Sequence, residues 1–335
     1  VVVPSSQCVH KRAVMRDGSE KVTVLAGSGG AGAHCAVVWL GDQLEAAVVH
    51  AVRGEEYVGC DNPYDVGMTG LIGFSSGYHA MLNCDTLLML GTSFPYRNFY
   101  PDKAKIVQID NDPSQLGRRA PLTLGVTGDV SETIAALLPK LKSGRSTKFL
   151  DAAKTHYTKA REALDDLAEP SKPGQPIHPQ YLTRLVNEIA DEDAIFTADV
   201  GTPTVWAARY LTMNGKRRLL GSFTHGSMAN AMLQALGAKA AAPERQVVSL
   251  SGDGGFTMMM GDFLSLKQLN LPAKIIVYNN GSLGFVAMEM KAGGYLTSGT
   301  DLENPNFAAM AEAIGIKGFR VEESAELPEA LKQAF

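Results

Sequence analysis

Two short apolar runs, residues 247–250 and 275–278, each give way at once to a polar tip. The first ends in Gly252-Asp253-Gly254 and the second in Asn279-Asn280. Between them, residues 256–269 repeat apolar side chains at helical spacing, which predicts strand, turn, helix and strand. A right-handed crossover sets the two strands parallel, so Asp253 and Asn280 should emerge together at the carboxyl ends of neighbouring strands. The same alternation recurs along the chain. Strands are predicted at 22–26, 46–50, 85–90, 105–110 and 123–127, with helices at 75–82 and 130–141. Further on come strands at 194–198 and 219–222 and helices at 181–189, around Trp206 and Arg209, and at 229–242. Helices at 306–314 and 322–335 are expected to flank a strand at 317–321. The class is therefore α/β, with two doubly wound domains built on mainly parallel sheets.

Residues 149–167 keep helical spacing with many charges, and residues 168–179 hold four prolines and one glycine, a linker composition. The expected division is a first domain over 1–143, a joining segment over 144–179 and a second domain over 180–335. A length of 335 residues suits two compact units. With 45% hydrophobic and 20% charged residues, the chain can bury a core in each. A net charge of −4 without a long basic run argues against a nucleic-acid partner. Cys8, Cys35, Cys60 and Cys84 form no CxxC pair, so reduced thiols are expected rather than a disulfide framework or a zinc knuckle. No run of 18 apolar residues and no signal-peptide pattern is present, which makes the cytoplasm the default. Residues 1–20 are polar and carry no readable pattern. The first residue is not Met and the last lies in a helical run, so both ends are expected to continue.

The chemistry at the two tips follows from the ligand types. A carboxylate, an amide oxygen and a nearby backbone carbonyl suit Mg²⁺ and leave positions for phosphate oxygens, while glycines let the backbone approach closely. Either tripeptide alone is a common turn. Elsewhere the signals are weaker. Residues 27–32 form a GxGxxG after a strand, but the next strand ends near His50 and Arg53 instead of an acidic residue, so a plain strand-to-helix turn fits as well as a dinucleotide site. The glycine-rich, apolar stretch 61–74 is long for a loop and is expected to lie against something flat. Arg97 could pair with a phosphate or with a surface carboxylate. Asp110, at a strand end, could accept from ribose hydroxyls. Asp199 reads as the cap of the helix that follows it. His225 reads as a loop histidine before an acid-base group, and Met228 as core filler. Phe285 and Glu289 share a helical face, the first packed and the second solvated.

Four segments carry a closer likeness: DNPYDVGMTGLIGFSSG at 61–77, DVGTPTVWAARYL at 199–211, GSMANAM at 226–232 and GFVAMEMKAGGYLT at 284–297. With GDG followed after 24 residues by NN, which matches the diphosphate anchor of thiamine-diphosphate enzymes, they make nearly the whole chain resemble the pyruvate:quinone oxidoreductases, the bacterial FAD-containing pyruvate oxidases. The resemblance implies FAD contacts at Leu71, Ile72, Gly73 and Phe74, at Phe94, Pro95, Tyr96, Arg97 and Asn98, and at Asp112, where the family's close member has Asn. It implies thiamine diphosphate at Gly226, Ser227 and Met228, whose side chain would prop the bent cofactor, at Asp253, Gly254 and Gly255, and at Asn280, Gly281, Ser282, Leu283 and Gly284. Asp253, Asn280 and the Ser282 carbonyl would be the Mg²⁺ ligands. The Phe matching Phe285 would assist electron transfer and the Glu matching Glu289 would line the active centre. Also implied are pyruvate as substrate, ubiquinone as acceptor, a homotetramer, peripheral attachment to the inner membrane through a segment beyond Phe335, and an activating glutamate in a domain ahead of Val1. An acetolactate synthase-type carboligase and a non-catalytic fragment are the alternatives.

Overall fold

The computed structural model of the chain describes residues 2–4, 21–142 and 144–335. Cys8 and most of the patternless segment 1–20 lie outside them. Two units form, Val1–Leu164 and Asp165–Phe335. The first contains β1 (Val2–Pro4), β2 (Val22–Ala26), α1 (His34–Leu44), β3 (Ala47–His50), α2 (Glu55–Val58), β4 (Asp65–Met68), α3 (Ser75–Leu82), β5 (Thr86–Leu90), β6 (Lys105–Asp110), β7 (Leu124–Thr127), α4 (Val130–Leu137) and α5 (Lys148–Asp165).

Its seven strands are all parallel, in the order β1-β7-β6-β5-β2-β3-β4. The continuous apolar runs of β2 and β5 are buried along their whole length, as strands covered on both faces require. Val37 and Leu40 of α1 and Ile134 of α4 cover one face, and Met81 of α3 and Leu150 of α5 cover the other. The helical part of the expected joining segment thus belongs to the core of the first unit, and irregular backbone is left at 144–147 and 166–178. Two strands escape the sequence pattern. β1 lies in the segment 1–20, which carries no readable pattern. β4 lies inside the stretch read as a loop, because it spans four residues, contains Gly67 at φ +91° and meets β3 with a register shift between Val48 and His50.

Beneath that irregular edge sit three titratable groups. His50 Nε2 lies 3.5 Å from Asp65 Oδ1, and the Glu55 carboxyl has an oxygen, Oε2, that is shut off from solvent and unpartnered even though the residue as a whole is half-buried. Burial, reinforced by the charge of Asp65 and opposed by Arg161, raises the Glu55 pKa well above the usual carboxylate range. A carboxyl whose folded pKa exceeds its unfolded one costs stability as pH rises from about 4 through the folded pKa. Glu55→Gln should therefore raise Tm by a few degrees near neutral pH, with the gain shrinking towards about pH 4. Thermal melts of both proteins across that range check it; a gain independent of pH would assign the effect to packing.

The second unit contains α6 (Pro179–Ile189), β8 (Ile195–Ala198), α7 (Thr202–Tyr210), β9 (Arg218–Gly221), α8 (Ala231–Ala241), β10 (Val247–Gly252), α9 (Asp253–Met258), α10 (Phe263–Gln268), β11 (Lys274–Tyr278), α11 (Gly284–Ala292), α12 (Phe307–Ala313) and α13 (Leu327–Ala334). Its parallel sheet has the order β11-β10-β8-β9. Val186 of α6, Ala207 of α7 and Leu331 of α13 pack on one face, Phe263 of α10 and Ala311 of α12 on the other. Arg217, inside the short basic run before β9, is buried. Its guanidinium donates to the carbonyls of Asn187, Ala190, Asp191 and Thr212 and to the Asn187 side chain, tying the end of α6 to β9.

Two expectations are corrected here. The helix over 256–269 begins earlier, at Asp253, and breaks at a 3-10 turn, Met260–Asp262, around Gly261, a poor helix former. The strand at 317–321 does not form. That stretch has no buried residue, and Gly318 sits so close to α12 that a Cβ there would lie 2.3 Å from the Ala308 carbonyl oxygen. Against a helix backbone it has no ladder partner to make it a strand.

Candidate functional site

In the second unit the order of strands reverses between β8 and β10, which places a crevice beyond their carboxyl ends. β10 pairs with β11 from Val248↔Lys274 to Gly252↔Tyr278, so Asp253 and Asn279-Asn280 leave adjacent strands at the same level. The turn expected between strand and helix does not form: Gly252 is extended at φ −76° and ψ 153° and caps α9, whose first residue is Asp253. The buried Asp253 carboxylate spans the two tips. Its Oδ1 accepts the Gly254 N–H at 2.8 Å, and its Oδ2 accepts the Gly281 N–H at 2.7 Å and the Asn304 amide at 2.8 Å.

Asn280 is exposed, and its Oδ1 accepts the Ser282 N–H at 3.1 Å. Gly281 turns the chain at φ +64°, in the left-handed region that glycine enters without strain. The segment 300–304 then clamps residues 281–283: Leu283 N–H donates to Thr300 O at 2.7 Å and Leu302 N–H to Gly281 O at 2.9 Å. Asn304, which also donates to Asn279 Oδ1 at 2.9 Å, has no sequence signal, since it stands in an irregular stretch far from either tip in the chain.

The glycines of α9 are spaces for neighbours. A Cβ on Gly254 would lie 2.7 Å from Leu283 and 3.4 Å from the Met228 methyl, and one on Gly255 only 2.2 Å from Asp199 Oδ2. Asp199 does not cap the helix that follows it. Buried at the end of β8, it accepts the N–H groups of Asn230 and Ala231, at the start of α8, on Oδ1, and that of Gly252 on Oδ2. Burial raises its pKa, against the pull of those three donors. Asp199 thereby fixes the approach to α8, which carries Gly226 at φ +72°, exposed Ser227 and half-buried Met228. Ser227 and Met228 line an open cleft of about 790 Å³ with Leu233, Gln234, Met258 and Met259. His225 is exposed. Gly284 opens α11 beside the Asn280 amide, Phe285 follows half-buried, and Glu289 is exposed one turn later.

Among the described residues no three His, Cys, Asp or Glu side chains cluster as metal ligands. A cation at these tips would instead rest on one carboxylate, one amide oxygen and a backbone carbonyl. That hard, incomplete set suits Mg²⁺ completed by phosphate oxygens.

The first unit has its own reversal point, between β2 and β5. Here the GxGxxG glycines are explained by packing. Gly27 N–H donates to Leu90 O and Gly29 N–H to Gly91 O, both at 3.0 Å, and a Cβ on Gly91 would lie 2.4 Å from the Gly29 Cα. The turn after β4 meets the loop after β5: Gly70, at φ +113°, has room for a Cβ only 3.2 Å from the Tyr96 ring. Leu71–Phe74 and Phe94–Asn98 are thus brought to one place. Leu71, Pro95, Arg97 and Asn98 are exposed, Ile72, Gly73 and Tyr96 half-buried, Phe74 and Phe94 buried. Phe94 meets Tyr96 edge-on, ring centres 5.1 Å apart. Asp110, at the end of β6, accepts the Asp112 N–H at 3.0 Å and is pushed up in pKa by burial. Asp112 is exposed, and its carboxylate is engaged by the Gln115 amide and Ser114, which hold its pKa below the usual value. An aromatic loop, a glycine turn and a buried strand-end carboxylate around a reversal point fit a dinucleotide with a flat ring system.

The likeness of the chain to known proteins bears on these two sites. Residues 13–137 match the central domain of thiamine pyrophosphate enzymes, and residues 199–335 match their C-terminal TPP binding domain. A Bacillus subtilis protein provisionally named thiamine pyrophosphate-containing is 33% identical over 94% of this chain and 55% of its own length. The acetolactate synthase large subunit of Corynebacterium glutamicum is 31% identical over 80% of this chain and 45% of its own, and the pyruvate oxidase of Lactiplantibacillus plantarum 29% over 81% and 45%. The chain spans about half the length of the curated relatives it matches. No helix among the described residues is long and apolar enough to cross a membrane.

Proposed function

The chain belongs to the thiamine pyrophosphate enzymes, of which it carries the central and the C-terminal domain, and on that premise we propose that the whole protein decarboxylates pyruvate oxidatively to acetate and CO₂. The electrons would pass through FAD to a membrane quinone. One observation supports the thiamine diphosphate site on which this reading rests: Asp253 joins two neighbouring strand tips through the Gly281 N–H. Thiamine diphosphate would supply an electron sink for loss of CO₂, and FAD would supply a two-electron acceptor for oxidation to acetate, whose added oxygen would come from water.

The residues of the chain bind and orient. Asp253, Asn280 and the Ser282 carbonyl would hold Mg²⁺. Gly254, Gly255 and residues 281–284 would lie along the diphosphate, and Met228, packed next to Gly254, would support the cofactor from its apolar side. Ser227 would face it from the wall of the cleft, next to Gly226, and Phe285 and Glu289 of α11 would complete the site. In the first unit, Leu71–Phe74, Phe94–Asn98 and the Asp110-Asp112 turn would hold FAD.

Acetolactate synthase-type carboligation is the second reading, favoured by relatives of that name with the same two domains. Anaerobic addition of pyruvate to the whole protein loaded with thiamine diphosphate, Mg²⁺ and FAD separates the two. Bleaching of the visible flavin band, lost on chelation of Mg²⁺ and followed by quinone reduction, is the expected result. Acetolactate formed over an unbleached flavin overturns the oxidase in favour of the carboligase. A quinone at a membrane surface and a homo-oligomer belong to the same proposal, and vesicle co-sedimentation and mass photometry test them.

A further inference from the structure

The long helix α5 presents one face to its unit: Leu150, Ala153, Tyr157 and Arg161, three or four positions apart, are shielded together with Phe149, His156, Ala160 and Leu164, while the remaining residues are exposed. Phe149, Leu150, Ala153 and Tyr157 reach the core. Beyond Ala153 the helix also meets the bend between β4 and α3. Tyr157 fills the space left by Gly67, where a Cβ would lie 2.6 Å from its ring. The same ring meets Phe74 edge-on, centres 5.3 Å apart and planes at 84°. The Arg161 guanidinium stands 5.7 Å from the centre of the Phe74 ring, and His156 Nε2 is 2.9 Å from Ser75 Oγ.

Two successive turns of one helix therefore grip both ends of the stretch 67–75. Between those ends the bend is thin. It is closed by Phe74 N–H to Met68 O at 2.8 Å and Gly73 N–H to Gly70 O at 2.9 Å, and its far side rests on Tyr96 through Gly70. Met68, Thr69 and Phe74 at its ends are buried while Leu71 at its tip is 68% exposed, so the bend is anchored at its ends and open at its tip.

We propose that α5 is a strap that fixes the bend 68–74, with Tyr157 and Arg161 as positioning residues for a flavin ring carried on it. The inference rests on the flavin reading given above. Neither side chain touches the ligand; each acts through Phe74. Gly67 and Tyr157 form a matched pair, because the position that accepts the Tyr157 ring has a backbone conformation only glycine adopts freely.

The test is made on the whole protein as Tyr157→Ala, Tyr157→Phe and Arg161→Gln. Two quantities are read: amide hydrogen exchange over 67–75 without flavin, and FAD affinity with the visible circular dichroism of bound flavin. An edge-on aromatic pair is worth about one factor of ten, so Tyr157→Ala should speed exchange at 67–75 and weaken FAD each by about tenfold. Tyr157→Phe should restore both, and Arg161→Gln should produce the same changes at about threefold. Exchange and affinity within about twofold of the parent in both Tyr157→Ala and Arg161→Gln overturn the strap. So does acceleration spread evenly over the first unit, which would make Tyr157 general packing. If Tyr157→Ala does not fold, Arg161→Gln decides alone. A parent protein that takes up no FAD refutes the flavin reading instead, and the exchange data then still judge the strap.

Discussion

Replacing Asp253 by Asn should abolish Mg²⁺-dependent binding of thiamine diphosphate while leaving a folded protein. The substitution keeps one side-chain oxygen to accept a backbone N–H and removes the negative charge of the carboxylate that joins the two tips. Divalent ions are held at such sites by charge and by hard oxygen donors, and an amide in place of the carboxylate leaves two neutral oxygens and a carbonyl. A loss of at least about 100-fold in cofactor affinity is expected, roughly 3 kcal/mol. Binding also stabilises by mass action, so the parent should melt higher with Mg²⁺ and thiamine diphosphate, and Asp253→Asn should melt at one temperature with or without them. Asp253→Ala is a poorer probe because it also strands the Gly281 and Gly254 N–H groups and the Asn304 amide. Retention of the cofactor-dependent rise in Tm by the Asn variant would remove Asp253 from the metal site and with it the reading of the tips.

Much of that site was legible because its pieces are local. An apolar run, GDG, a helical repeat, a second run and NN follow one another within about one βαβ unit, and topology alone sets the tips side by side. The two doubly wound units and the convergence of the two strand tips could be anticipated on that basis. What could not be read is held by contacts between segments remote in sequence. Asn304 reaches Asp253 across 51 positions, and nothing near it in the chain marks a donor. The GxGxxG of residues 27–32 is formally a phosphate motif, yet Gly29 is tied to Gly91, a partner in another loop. β4 was hidden by its own shortness and by Gly67, whose reason for being glycine is the Tyr157 ring 90 positions later. The segment 317–321 shows the reverse failure: apolar content suggested a strand, but a strand exists only where a ladder partner is available.

Asp199 is the sharpest case of a residue whose type was read correctly and whose partner was not. A short acidic residue ahead of a helix suggests a cap for that helix, but the carboxylate crosses to α8, 31 and 32 positions on, and to the end of β10. Asp199→Ala should strand three N–H groups in a site where the aspartate itself is only 2% exposed. At about 1–3 kcal/mol for each unpaired buried donor, and allowing for partial relief by water, the loss should be about 3–5 kcal/mol, a large share of a typical domain's stability. Urea unfolding measures it, and a loss under about 1 kcal/mol would mean that water replaces the carboxylate. Gly255→Ala attacks the same link from the other side, since its Cβ would overlap Asp199 Oδ2, and it should cost a similar amount. The pH dependence separates the two. Because burial outweighs the three donors, the Asp199 pKa is raised, so in the parent this group costs stability as pH climbs from about 4 through its folded pKa. Asp199→Ala should flatten that slope, whereas Gly255→Ala, which keeps the carboxylate and crowds it, should preserve or steepen it. Since Asn230 and Ala231 stand two and three positions after Met228, Asp199→Ala should also loosen the wall of the cleft and weaken thiamine diphosphate without removing Mg²⁺ affinity, an effect opposite in kind to that of Asp253→Asn.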